Sequence, residues 1–146
     1  MNKLELLMKT IELAEKRDEE QKELEKRYGK DKAEKDETGF KTMVLEPRKE
    51  RQTEYVNAPR PRAAELESFV KSQSDEDIVY VAAVMYGGRD YWLYKEPPQK
   101  LDDVIEELKS NHPDDLRELI YNILEDELLA EYLKAGIDFY KITYAI

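Results

Sequence analysis

Acidic side chains recur at spacings that helices would bring together. Asp102, Asp103, Glu106 and Glu107 fall within about two turns, and Asp114, Asp115 and Glu118 repeat the arrangement on the next segment. Two such helices packed antiparallel could gather several oxygens around a hard cation. A carboxylate site inside a bundle, however, needs its acids turned inward, typically with a Glu-x-x-His partner. Here they lie opposite the stripe of Leu101, Val104, Ile105 and Leu108, on the face that meets water. No metal site and no cofactor are expected. His112 is the only histidine and stands before Pro113, which reads as a turn or N-cap residue rather than an acid–base catalyst or metal ligand.

A second chemically suggestive stretch is VAAVMYGGRDYW, residues 81–92. An apolar run meets Gly87 and Gly88, then Arg89, Asp90 and two aromatics. Gly88 and Arg89, framed by Tyr86, Tyr91 and Trp92, could present backbone N–H groups and a guanidinium to an anion or small molecule. The plainer reading is a buried helix that stops at Gly87, with Gly87 or Gly88 in the left-handed cap. No dinucleotide-binding or Walker loop, nucleophile elbow or zinc spacing occurs. With no cysteine, disulfides, thiolate ligands and cysteine nucleophiles are excluded. No catalytic residue is assigned, and the expectation is that the protein is not an enzyme.

Three regions must position these residues. Residues 1–28 read as a helix whose Leu4, Leu7, Met8, Ile11 and Ala14 share one face, after which charges of both signs take over. Only the opening turns have an evident reason to pack, so the rest is expected to project into water or lie against a partner, ending at Gly29. Residues 29–60 read as a flexible charged linker, interrupted by two apolar islands: Phe40 with Met43, Val44 and Leu45, then Tyr55 with Val56. A basic cluster, Arg48, Lys49, Arg51, Arg60 and Arg62, sits along the linker and its junction with the next region.

Residues 61–146 read as a helical bundle domain. Pro61 suits a first helical position, and Ala64, Leu66, Phe69 and Val70 form an apolar face. Ser74 before Asp75-Glu76-Asp77 is an N-cap with acids at the dipole-positive end, so the β-branched run that follows reads as helix rather than strand. Pro97-Pro98 ends an aromatic knot, and further helices are expected from Leu101, from Pro113 and over Asp126 to Ile142. The fold class is all-α, a small bundle of about six helices with a long N-terminal helix and a flexible charged linker.

The net charge of -10 is uneven: residues 96–146 hold 13 acids and 5 bases. Such a surface repels phosphate backbones, which disfavours direct nucleic-acid binding. No apolar run approaches the length of a membrane span, and the N-terminus lacks a signal-peptide pattern, so a cytoplasmic location is expected.

The order AELESFVKSQSDEDIVYVAAVMYGGRD, an acidic helix, then YNILEDELLAEYLKAGIDFY resembles the bacterial domain-of-unknown-function family 3775. Matching positions are Gly88-Arg89 and, in the last helix, Leu128-Leu129, Tyr132-Leu133 and Gly136. The resemblance implies a helical layout and a bacterial or phage origin, with no activity attached.

The function expected is a macromolecular interaction module, with a protein partner or a second copy of the chain. Leu4, Leu7, Met8 and Ile11 are the candidates for that contact, either folding back on the bundle or pairing with another chain. The alternatives are a small-molecule or anion binder at the Gly88-Arg89 turn and an acidic mimic that binds a basic nucleic-acid-binding protein.

Overall fold

The first helix starts where a short polar side chain turns back on it. The Asn2 carboxamide oxygen accepts from the Glu5 backbone N–H at 2.8 Å, while its amide donates to the Glu5 carboxylate at 2.6 Å. This reciprocal cap launches α1, Lys3–Tyr28. The structure, a computed structural model, describes residues 1–28, 34, 35, 41, 42, 49–94 and 99–142. Gly29, the island at Phe40 and Met43–Leu45, Arg48 and Pro97-Pro98 lie outside the described residues.

Beyond α1 the described elements are a two-residue antiparallel pairing, β1 (Glu34–Lys35) with β2 (Lys41–Thr42), and six helices. These are α2 (Lys49–Asn57), α3 (Pro61–Lys71), α4 (Asp75–Tyr94), α5 (Leu101–Asn111), α6 (Arg117–Glu125) and α7 (Leu129–Tyr140). The fold is an all-α bundle. No helix among the described residues is long and apolar enough to cross a membrane.

The core runs through α1, α3, α4, α6 and α7, centred on Leu6, Leu7, Leu66, Met85, Leu119, Ile123, Leu129 and Leu133. Helix α4 packs most extensively against α7, and α1 against α3 and α7. The N-terminal helix is therefore part of the same core as residues 61–142, not a separate arm. Its apolar face extends past the opening turns to Leu13, Ala14 and Leu24, all buried. Farther along, its polar residues act as fasteners. The Glu20 carboxylate accepts from the backbone N–H groups of Arg62 and Ala63 at 2.9 and 3.2 Å, capping the start of α3 from a neighbouring helix.

Four sequence expectations change. The stretch read as linker contains α2, whose Tyr55 is buried, meets the Tyr28 ring edge-on at 5.8 Å and accepts from the Gln21 amide at 2.6 Å. Val56 stays exposed. Helix α4 does not stop at Gly87 but continues to Tyr94. The Ser74 cap at its start is present, with Ser74 Oγ accepting from the Asp77 N–H at 3.2 Å.

The helix expected from Pro113 begins at Arg117, and the one expected from Asp126 begins at Leu129. Both delays have one cause. Asp115 and Asp126 each accept, at 2.9 Å, from the backbone N–H two residues on, at Arg117 and Leu128. That side-chain turn competes with the helix for its first donors. His112 accordingly closes α5 rather than opening α6.

Candidate functional site

The Gly-Arg segment is mid-helix, and its glycines are consumed by packing. A Cβ on Gly88 would lie 1.8 Å from the Tyr132 carbonyl oxygen and 2.8 Å from the Gly136 nitrogen. A Cβ on Gly136 would lie 2.5 Å from the Val84 carbonyl oxygen. Gly88 and Gly136 are thus the crossing point of α4 and α7, where two backbones touch. Of the seven positions that carry the family resemblance, three, Gly88, Tyr132 and Gly136, make this crossing.

Arg89 lays its guanidinium over the Tyr86 ring, 4.9 Å from the centroid, with Nε 3.5 Å from the Asp90 carboxylate. Tyr91 stacks against Phe139 at 5.0 Å, and Trp92 is about half exposed. Of the five candidates, Tyr86 and Arg89 line a cavity of about 310 Å³ between α4, α5 and the start of α6, and Gly88, Tyr91 and Trp92 are not among its walls. Its other titratable walls are Asp90, Glu107, His112 and Glu118, so three carboxylates face one arginine and an anion finds little support there. His112 Nδ1 stands 3.9 Å from Glu118, and the Tyr86 hydroxyl accepts from the Asn122 amide at 2.9 Å.

The N-terminal candidates divide differently. Leu7 and Ile11 are spent in the chain's own core, Leu4 is half-buried and Met8 is exposed. Folding back on the bundle is therefore the course this helix takes. Among the described residues, no three His, Cys, Asp or Glu side chains are arranged to hold a metal.

A larger concave surface lies elsewhere, where α1, α3, α6 and the turn before α7 meet. Two depressions, about 490 and 390 Å³, share Arg17, Ala63, Leu124 and Glu125 and form one groove. Arg17 builds its floor. Its largely buried guanidinium donates to the Leu124 carbonyl at 2.8 Å and the Asp126 carbonyl at 2.9 Å, and it pairs with Asp18 at 3.1 Å. It so ties the end of α6 to α1, satisfying carbonyls that a helix terminus leaves open. Apolar lining comes from Leu66, Ile120, Leu124 and Leu128, with the Tyr121 ring at the edge. Tyr121 is 63% exposed and Leu128 42%, large apolar surfaces left in water beside the groove.

Around the larger depression stand five carboxylates, Asp18, Glu25, Glu125, Glu127 and Glu131, against Arg17 and Lys22. Burial raises the Asp18 carboxyl above its ordinary value; Arg17 pulls it down and the Glu131 charge pushes it further up. Glu131 Oε2 is buried without a hydrogen-bond partner. Acidic charge in this groove is therefore only partly compensated.

Sequence reasoning missed this surface because Leu124 and Leu128 fit the core stripes of their helices, and nothing in the spacing marks them as open. The one signal available was the surplus of acids after residue 96. The chain matches no known protein family, no curated protein and no solved structure.

Proposed function

We propose that the protein is a non-enzymatic interaction module whose groove between α1, α3 and α6 receives an amphipathic helix of a partner protein, apolar on one face and basic on the other. The observation that carries this reading is the pairing of open apolar surface, at Leu128 and Tyr121, with a surplus of carboxylates around the same groove. A helix laid in a groove places anchors at three- and four-residue spacing, and lysines beside them would face the acids. The same acids disfavour nucleic-acid phosphates. Kinship with the bacterial family that the sequence resembles belongs to the proposal and rests on the resemblance at Gly88-Arg89, Leu128-Leu129, Tyr132-Leu133 and Gly136.

A fluorescent synthetic helix of about 18 residues, five turns long, with a leucine stripe and lysines beside it, tests the reading by anisotropy. Saturable binding is expected, weakened by salt and abolished by the double variant Tyr121→Ser/Leu128→Ser. Neither of those side chains is buried, so the variant should melt like the parent. Absence of saturable binding, or equal binding by the variant, would sink the proposal.

A further inference from the structure

Resting on that groove reading, we infer that the bound helix has a fixed direction: its N-terminal half is basic and lies between Asp18 and Glu131, and it runs antiparallel to α6. The two ends of the groove differ in charge. Around the α7 end, five carboxylates face two cations, and one of those, Arg17, is already committed to two carbonyls and Asp18. At the other end Glu67 and Glu125 face Arg17, Lys71 and Arg117. Lys71 is held by Glu67 and Arg117 by Asp115, which leaves that end close to neutral. Lysines of a partner therefore gain most at the α7 end.

Helix polarity adds to this. Helix α6 enters the groove at Arg117 and finishes at Glu125, so its carbonyl-bearing terminus lies at the acidic end. The N-terminus of a docked helix carries partial positive charge and is favoured beside carboxylates and a helix C-terminus. Terminal carbonyls are occupied at both ends, the Phe69 oxygen of α3 by Ser72 Oγ at 2.7 Å and the Gln73 amide at 3.0 Å, and those of Leu124 and Asp126 by Arg17. The carboxylates therefore set the difference between the ends. A partner helix with basic residues toward its N-terminus satisfies charge and dipole together, whereas one with basic residues toward its C-terminus satisfies only one of them.

The probe is a leucine-striped synthetic helix with lysines in its N-terminal half, glutamines elsewhere and a nitroxide on its N-terminus. It is added to the isotope-labelled full chain, and amide broadening is read by NMR. The expected result is selective broadening at residues 125–131, with binding about fivefold tighter than for the sequence-reversed peptide, the order of one charge–dipole interaction. The reversed peptide carries its lysines where they favour isolated helix, so tighter binding of the first peptide cannot come from helicity. Saturable binding with broadening centred on residues 66–71, or equal at both ends, overturns the direction and leaves the groove reading standing. No saturable binding overturns both. Asp18→Asn/Glu131→Gln provides a second check: the preference between the two peptides should shrink while binding of each persists, and an undiminished preference overturns the placement between these two carboxylates.

Discussion

Replacing Gly88 with alanine inverts the usual effect of that change. In an exposed helix interior, Gly→Ala stabilises by about 1 kcal/mol. At position 88 the new methyl would sit 1.8 Å from the Tyr132 carbonyl oxygen and 2.8 Å from the carbonyl carbon, both backbone atoms that cannot rotate away. Restoring ordinary contact requires α4 and α7 to part by on the order of 1.5 Å, more than the gap that already forfeits about half of a dispersion well. The separated surfaces include Val84, Met85 and Leu133, all fully buried. Overpacking of this kind costs about 3–5 kcal/mol, at or above the upper part of the usual range. After the propensity gain, about 2–4 kcal/mol of net loss remains, which lowers the melting temperature by about 6–12 °C for a chain of this size. Thermal melts followed by circular dichroism at the helical band, with urea midpoints alongside, measure it. Gly87→Ala is the control. Its methyl meets the Tyr140 hydroxyl at 2.2 Å and the edge of its ring at 2.6 Å, side-chain atoms at the end of α7 that can rotate away at the expense of the bond to the Gln99 carbonyl. That variant should stay within about 1 kcal/mol of the parent, the scale of one hydrogen bond against the propensity gain. A Gly88→Ala protein that melts at or above the parent, or a Gly87→Ala protein equally damaged, would refute the reasoning.

Arg17→Met keeps the apolar stem but removes the donors to Leu124 and Asp126, and should cost about 2–3 kcal/mol in urea unfolding. Leu7→Ala removes a fully buried side chain and should cost about 3 kcal/mol, with the molar mass by light scattering unchanged from the parent. In a carboxyl-carbon NMR titration, Asp18 should titrate above its ordinary value of 3.8 because burial disfavours its charge. Asp115 should titrate below 3.8 because Arg117 hydrogen-bonds its charged form. For Asp18 the folded value is raised, so its ionisation destabilises the fold above that value and the penalty is relieved as pH falls through it. Asp18→Asn should therefore melt higher than the parent at neutral pH, and the advantage should shrink in acid; a lower melting temperature at neutral pH contradicts the assignment. Asp115 has the opposite sign, its contribution being present above 3.8 and lost as pH falls through the folded value.

Local rules of the chain made much of the helical layout legible. The stripe of Leu101, Val104, Ile105 and Leu108 is a helix face because its spacing allows no other element to gather it on one side. Ser74 followed by three acids marks the start of α4, since the side-chain cap and the helix dipole act within one turn. These interactions are short-range in sequence and need no knowledge of neighbours. Where local rules competed, the outcome was less legible. Asp115 and Asp126 each hold the backbone two residues ahead, so α6 and α7 begin three to four residues later than Pro113 and Asp126 indicate.

What the sequence by itself determined is the helical class, the helix faces and the surplus of acid toward the C-terminus, all consequences of spacing and composition. Only the tertiary structure decided the role of Gly87-Gly88. Two glycines read locally as a stop, yet α4 stays helical through them, with Tyr132 and Gly136 approaching Gly88 and the Tyr140 ring approaching Gly87. Burial of Leu7 and Ile11 likewise depends on α3 and α7 lying alongside α1, as the capping of α3 by Glu20 does. The groove belongs to this second kind. Leu124 and Leu128 have the spacing of core residues, and whether they are covered depends on how far neighbouring helices reach, which no helical period encodes.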